Sequence, residues 1–296
     1  MVTASHVSGD NTFVCCGLSA TLTFFAIFVF HVVDGSWQFP HTGRDVKKEF
    51  TAAHIPGSVK FVLDECCDRG SPYDQMLPSG EQFASYVGGL GVGSDCHVVV
   101  YDNSEMGMFS AQRVWWLFRS FGHDNTSILN GGLPAWKAAG LPMQSGEVQT
   151  ESKVFKAKFR PEMVASYADV QANLAERSFQ LADARPPGRF NGKDAEPRKD
   201  IESGHVPDAV NIPFGMILNQ ETKTVKTPEQ LKKIFEMKKI DLRQPLVIMC
   251  GSGMTATGIY LAAFACGKTD MKVYDGSWTE WALRSKPEHR IKEAVN

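Results

Sequence analysis

Residues 245–267 read PLVIMCGSGMTATGIYLAAFACG. A short apolar run, LVIM, ends in a cysteine. A glycine-rich loop follows, and then TATGIYLAAFAC, which has helical character. The stretch therefore spells strand, tight loop and helix, the repeating unit of a parallel α/β sheet. That order puts Cys250 at the carboxyl end of a strand, where open α/β sheets hold their ligands. The glycines let successive backbone N–H groups turn inward, so the loop can become an anion nest at a helix N-terminus. A free thiol, with a pKa of about 8.5, is acidified in such a setting. The loop thus suits a thiolate, or an anion carried on that sulfur. Cys266, inside the apolar helical run, reads as an inert buried cysteine.

The same unit occurs twice. PSGEQF at 78–83 resembles KTPEQL at 226–231. Carrying that register forward without a gap lays HVVVYD (97–102) on PLVIMC (245–250), so that Asp102 falls on Cys250. HIPGSVKF from His54 resembles HVPDAVNIPF from His205, and VVDGSW (32–37) pairs with QLADAR (180–185). LNGGLPAW, ending at Trp136, resembles VYDGSWTEW, ending at Trp281. Short β-rich runs alternate with helical patterns in each half, which predicts an α/β protein of two tandem domains, each a parallel sheet flanked by helices. Thr227, with Pro228 and Gln230 behind it, is a helix start, and Ser79 with Gln82 repeats the signal. Residues 145–159 are polar and aperiodic. The expected organisation is an apolar segment 1–30, a domain 31–144 without the thiol, a linker 145–162 and a thiol-bearing domain 163–296.

The 296 residues carry a formal net charge of -2 with no long run of either sign, which gives no footprint for nucleic acid. The 7 cysteines have no zinc spacing and no small-domain pattern, so neither a metal nor a disulfide framework is expected, and a reducing compartment suits the chain. Residues 11–33 contain no Asp, Glu, Lys or Arg. The run from Phe13 to Phe30 reaches the short end of the roughly 17–25 residues that cross a bilayer. Arg44, Lys47 and Lys48 follow it, which would keep the domains on the cytosolic side of an anchor. The other reading is a buried helix and a first strand. The expected location is cytoplasmic, or alternatively mitochondrial, with membrane attachment through residues 13–30 under the first reading.

Several chemistries use a cysteine in such a loop. A cysteine phosphatase needs arginine six positions on, where this chain has Ala256. A nucleotide P-loop needs Gly-Lys-Ser/Thr, and the loop has no lysine. A Cys–His hydrolase fits the composition, although no spacing marks its histidine. Sulfur transfer needs a thiolate and a cradle for the persulfide, with neither metal nor cofactor.

CGSGMTA is similar to the active-site loop of the 3-mercaptopyruvate sulfurtransferases of the two-domain rhodanese superfamily. The resemblance runs from about Val32 to about Pro287 through GRDVKKEF, HIPGS, SPYDQMLPS, FSAQRVWWLFRSFGH, GRFNGKDAEPR, GHVPDAVNIPF and YDGSWTEW. Met254 departs from it, valine being usual there. The resemblance implies two rhodanese domains with the site between them, and a catalytic Cys250 whose sulfur is cradled by Gly251, Ser252, Gly253, Met254 and Thr255. It makes Arg189 and Arg198 the clamp on a substrate carboxylate, with Arg185 a weaker candidate. The implied donor is 3-mercaptopyruvate, and the implied acceptors are cyanide, a small thiol or thioredoxin, the last two able to release sulfide. Thiosulfate-using relatives resemble Cys-Arg-Lys-Gly at this loop, whereas Gly251 and Ser252 are neutral and suit a singly charged donor. Thiosulfate sulfurtransfer is the alternative activity, and a weakly active module that binds a partner is the alternative outside enzymes. Asp64 matches a family acid that works with Ser252, and also reads as a loop-capping carboxylate. A family histidine is replaced by Gln75, which cannot shuttle a proton. His54 and His205 recur in both halves and read as structural. Trp115 and Trp116 read as core or domain-interface residues.

Overall fold

In the computed structural model, which describes residues 14–15 and 30–293, the apolar strands stack into two parallel sheets with the same order. The first contains β1 (Val14–Cys15), β2 (Phe30–Asp34), β3 (Val59–Lys60), β4 (His97–Tyr101) and β5 (Thr126–Leu129), in the order β1-β5-β4-β2-β3. Its helices are α1 (Val46–Ala52), α2 (Gly80–Gly89), α3 (Ala111–Ser120) and α4 (Gly132–Ala138). The second sheet contains β6 (Val164–Ala165), β7 (Gln180–Asp183), β8 (Val210–Asn211), β9 (Leu246–Met249) and β10 (Met271–Tyr274), in the order β6-β10-β9-β7-β8. Its helices are α5 (Tyr167–Glu176), α6 (Pro187–Phe190), α7 (Pro228–Met237), α8 (Ala256–Ala265) and α9 (Ser277–Arg284). All the strand pairs are parallel, as continuous apolar runs such as LVIM and HVVVY require when both sheet faces are covered.

The repeat reaches the hydrogen bonds. Ser79 and Thr227 each close a capping box, with Gln82 and Gln230 respectively. Ser166 closes a third with Asp169, which the sequence reading missed. His54 and His205 each stack on a phenylalanine, at 4.1 Å from Phe50 and 4.0 Å from Phe190. The Nδ1 of each lies 2.7 Å and 2.9 Å from the carbonyl of that same residue. Their duplicated role is structural, as expected. Trp115 and Trp116 are fully buried, and Trp115 donates its indole N–H to the Thr126 carbonyl.

The chain forms two compact units. The first holds the described residues up to Asp68, Leu77–Phe159 and Gln220–Val225, and the second holds Arg69–Met76, Arg160–Asn219 and the residues from Lys226 on. The expected linker is more than a tether. Residues 145–159 carry neither helix nor strand, but they lie as a strap on the first unit. Lys153 N–H bonds to the Gly88 carbonyl at 2.9 Å, and Lys158 N–H bonds to Phe121 at 2.9 Å. Phe155 packs edge-on against Phe83 and Phe118 in the core. Buried aromatic surface therefore holds a segment whose composition reads as polar.

The 13–30 segment lies outside the described residues except at Phe30, where β2 begins, and at Val14–Cys15. That pair runs parallel to β5, as β6 runs parallel to β10. Val14–Cys15 thus holds in the first sheet the edge position that β6 holds in the second. Among the described residues no helix is long and apolar enough to cross a membrane.

Candidate active site around Cys250

Every side chain of β9 is buried, and β9 pairs with β7 on one side and β10 on the other. The strand therefore delivers Cys250 to the middle of the sheet's carboxyl edge, 2% exposed and with a free thiol. Residues 256–264 of α8 are buried all round, so the helix runs inward behind the loop and points its N-terminus at it. Gly258 has no room for a side chain, because an added Cβ would overlap the Phe214 ring.

The loop backbone is fixed from the far side by the segment that opens α9. Ser277 holds a left-handed φ of 51° and is fully buried. Its Oγ accepts the N–H groups of Cys250 and Gly253, each at 3.1 Å, and donates to the Tyr274 carbonyl at 2.8 Å. Trp278 N–H bonds to the Cys250 carbonyl at 2.9 Å, and Thr279 bonds to the Gly251 carbonyl through both N–H and Oγ1. Gly253 turns the chain at φ 75°. The expected cradle is corrected at this point. The Gly253 amide is taken by Ser277, so glycine there supplies the turn and not a donor to sulfur. The amides of Gly251, Ser252 and Thr255 have no acceptor among the described residues. Met254 is buried at 4% exposure, and its carbonyl accepts the Thr257 hydroxyl.

The duplicated half carries a carboxylate at the equivalent strand end. Asp102, the counterpart of Cys250, is 1% exposed. Its Oδ2 accepts the N–H groups of Phe109, Ser110 and Ala111 at 2.7–2.8 Å, and its Oδ1 accepts that of Ser104 at 3.0 Å. The nest at the N-terminus of α3 is thus filled by a carboxylate built into the chain. Aligned on their helix starts, Phe109 and Ser110 correspond to Met254 and Thr255. One unit carries its anion as an aspartate, while the other presents a sulfur.

Arg189 and Arg198 lie in the second unit with Cys250. Arg198 Nη1 is the atom that a side chain at Gly251 would meet first, at 3.9 Å, so its guanidinium overhangs the thiol loop. Its Nε donates to Asp74 at 2.8 Å. Arg189, in α6, donates through Nη1 to Glu196 at 3.3 Å. Arg185 takes a different role from the one considered for it. It is fully buried, forks onto Asp183, bonds Glu196 and the Gly204 carbonyl, and lies 4.3 Å from the Trp278 ring. Burial pulls its pKa down, but the carboxylates of Asp183 and Glu196 outweigh burial and hold it above the usual value. It is a framework cation with no surface left for substrate.

Gln75 also belongs to the second unit, 5% exposed and at φ 60°. Asp64 belongs to the first unit, where its carboxylate accepts the Trp37 indole N–H at 3.1–3.2 Å. Sequence reasoning missed Ser277 and Glu196. The signals were the DGSW run at 275–278 and the EPR run at 196–198, of which only Arg198 was singled out. Burial pushes the Cys66 and Cys96 thiols up and lifts Cys266 to about 11, so these remain protonated at neutral pH.

A buried thiol thus sits in a glycine-rich loop at the carboxyl edge of one of two duplicated parallel sheets, the arrangement of a sulfurtransferase of the rhodanese class. The chain belongs to the rhodanese family, whose rhodanese-like domain matches residues 44–139 and 166–284. It is 50% identical over 262 residues to the 3-mercaptopyruvate sulfurtransferase of Homo sapiens, covering 88% of each chain. It is 46% identical to the thiosulfate sulfurtransferase of Gallus gallus, over 88% of this chain and 89% of the relative. The crystal structure of SseA from Escherichia coli, a 3-mercaptopyruvate sulfotransferase of the rhodanese fold, superposes with a TM-score of 0.76 at 36% identity, covering 84% of this chain and 92% of that one.

Proposed function

We propose that this chain is a 3-mercaptopyruvate sulfurtransferase, with Cys250 as the nucleophile and Arg189 and Arg198 as the clamp on the substrate carboxylate. The observation that carries the reading is the thiol loop itself: a free Cys250 followed by neutral Gly251 and Ser252, with the Arg198 guanidinium over Gly251. The Cys250 thiolate attacks the substrate sulfur, and a disulfide-type S–S bond forms as the carbon–sulfur bond breaks. The electron pair goes to carbon and leaves as the pyruvate enolate. The proton of the transferred sulfur neutralises that enolate, leaving a persulfide anion on Cys250. In this reading the amides of Gly251, Ser252 and Thr255 hold the anion, much as amides at the N-terminus of α3 hold Asp102. An acceptor of the class of cyanide, a small thiol or reduced thioredoxin then takes the outer sulfur. Asp64 and Ser252 assist proton movement, and Met254 closes the cradle from the core side.

Thiosulfate is the second reading, favoured by the 46% identical relatives named for it. A dianion wants two cations beside the thiol, and the loop offers none. Turnover of 3-mercaptopyruvate and thiosulfate with cyanide as acceptor decides between them, and turnover of neither refutes the assignment. Cys250→Ser should abolish transfer, and mass spectrometry of the donor-treated protein should find one added sulfur on Cys250. Arg189→Ala and Arg198→Ala should each lower kcat/KM roughly 10- to 150-fold, the worth of one charge-assisted hydrogen bond. The free state of the described cysteines fits a reducing, cytosol-facing location.

A further inference from the structure

We propose that Glu196 is a positioning residue of this site, bridging the framework cation Arg185 to Arg189 and so aiming Arg189 at the substrate carboxylate; this rests on reading Arg189 as half of the clamp. The Glu196 side chain is only 3% exposed. Its Oε1 accepts Arg185 Nη1 at 2.7 Å, and its Oε2 accepts Arg189 Nη1 at 3.3 Å. Arg185 is in turn immobilised by Asp183, by the Gly204 carbonyl and by the face of Trp278, whose N–H is bonded to the Cys250 carbonyl. An unbroken series of contacts therefore runs from the backbone of Cys250 through Trp278, Arg185 and Glu196 to Arg189. Such a series sets the distance between the nucleophile and the clamp, which is the quantity a two-point grip on a small substrate needs.

Charge counting points the same way. Asp183 and Glu196 are two buried anions facing one buried cation, Arg185, which leaves one negative charge without compensation. Arg189 supplies the missing cation. A buried charge is tolerated only when paired, so the cluster draws Arg189 into place before any substrate arrives. The engagement uses one edge of the guanidinium. Arg189 Nε and Nη2 have no acceptor among the described residues, and the side chain keeps 22% of its exposure. Those two donors form the fork that a carboxylate takes in bidentate fashion.

The test is a double-mutant cycle on the full chain, with KM and kcat for 3-mercaptopyruvate measured with cyanide as acceptor. Glu196→Gln keeps the shape and removes the charge. It should raise KM about tenfold while kcat stays within about twofold, because the clamp binds ground and transition states alike. Arg189→Ala should raise KM at least as much, and the Glu196→Gln/Arg189→Ala double variant should match Arg189→Ala alone, since Glu196 acts through Arg189. Glu196→Asp, which keeps the buried charge, should fall between wild type and Glu196→Gln, and it carries the test if Glu196→Gln fails to fold. If Arg189→Ala raises KM and the two effects multiply in the double variant, Glu196 does not act through Arg189 and the proposal is overturned. An Arg189→Ala variant with unchanged KM overturns the clamp itself, and with it the inference.

Discussion

Ser277→Ala removes a single oxygen, yet that oxygen is the acceptor for two buried amides and the donor to a buried carbonyl. Alanine is close to serine in size and leaves no cavity for water. Each amide stripped of its acceptor costs about 1–3 kcal/mol, so the pair should cost about 2–6 kcal/mol. The loss is local, because both amides belong to the thiol loop and the second unit's strands are untouched. Hydrogen exchange followed by mass spectrometry on peptides covering residues 246–255 should show protection lost at Cys250 and Gly253. The rate of persulfide formation should fall with it, because the remaining donors are no longer held in register around the sulfur. A companion variant separates the hydroxyl from the backbone. Ser277 sits at φ 51°, where glycine is unstrained, so Ser277→Gly should recover about 0.5–1 kcal/mol relative to Ser277→Ala without restoring the loop. If Ser277→Ala changes stability by less than about 0.5 kcal/mol and leaves both exchange and persulfide formation unaltered, then the hydroxyl does not organise the loop.

Asp102→Ala should destabilise the first unit by about 3 kcal/mol or more, since a buried carboxylate accepting four amides is lost, and equilibrium unfolding read from the first unit's tryptophans measures it. Brief iodoacetamide treatment at neutral pH should leave Cys66, Cys96 and Cys266 unmodified, because raised pKa values keep them as thiols; labelling of Cys266 should grow only as the pH approaches about 11, and peptide mapping that finds Cys266 modified at neutral pH refutes this. Gln75→His should raise kcat if proton transfer limits the rate, since histidine tolerates the φ of 60° and titrates at about 6.5; equal rates from about pH 5.5 to 8 would show that no such relay limits turnover. Replacing Gly251-Ser252 by Arg-Lys should shift donor preference toward thiosulfate, and an unmoved ratio of the two kcat/KM values removes loop charge as the selector.

Local chemistry settled a large part of this molecule. The period of the apolar runs and the Ser79 and Thr227 capping boxes concern neighbours a few residues apart, and the repeat that sets Asp102 on Cys250 is the same local pattern written twice. Such signals survive in a linear string because strands, turns and caps are short-range structures. They suffice to set the thiol at the carboxyl end of a central strand, with a glycine loop and a helix behind it. What they leave open are pairings over long sequence separations. Arg185 and Arg189 are four residues apart and chemically identical in sequence, yet one is buried against Asp183 and Trp278 while the other keeps an exposed fork. Gly253 reads as a nest donor until Ser277, 24 residues on, takes its amide. Residues 145–159 read as a polar linker until Phe155 finds the first unit's aromatic core. In each case the deciding quantity is which buried polar or apolar group meets which partner, and desolvation makes that choice only once the chain has folded.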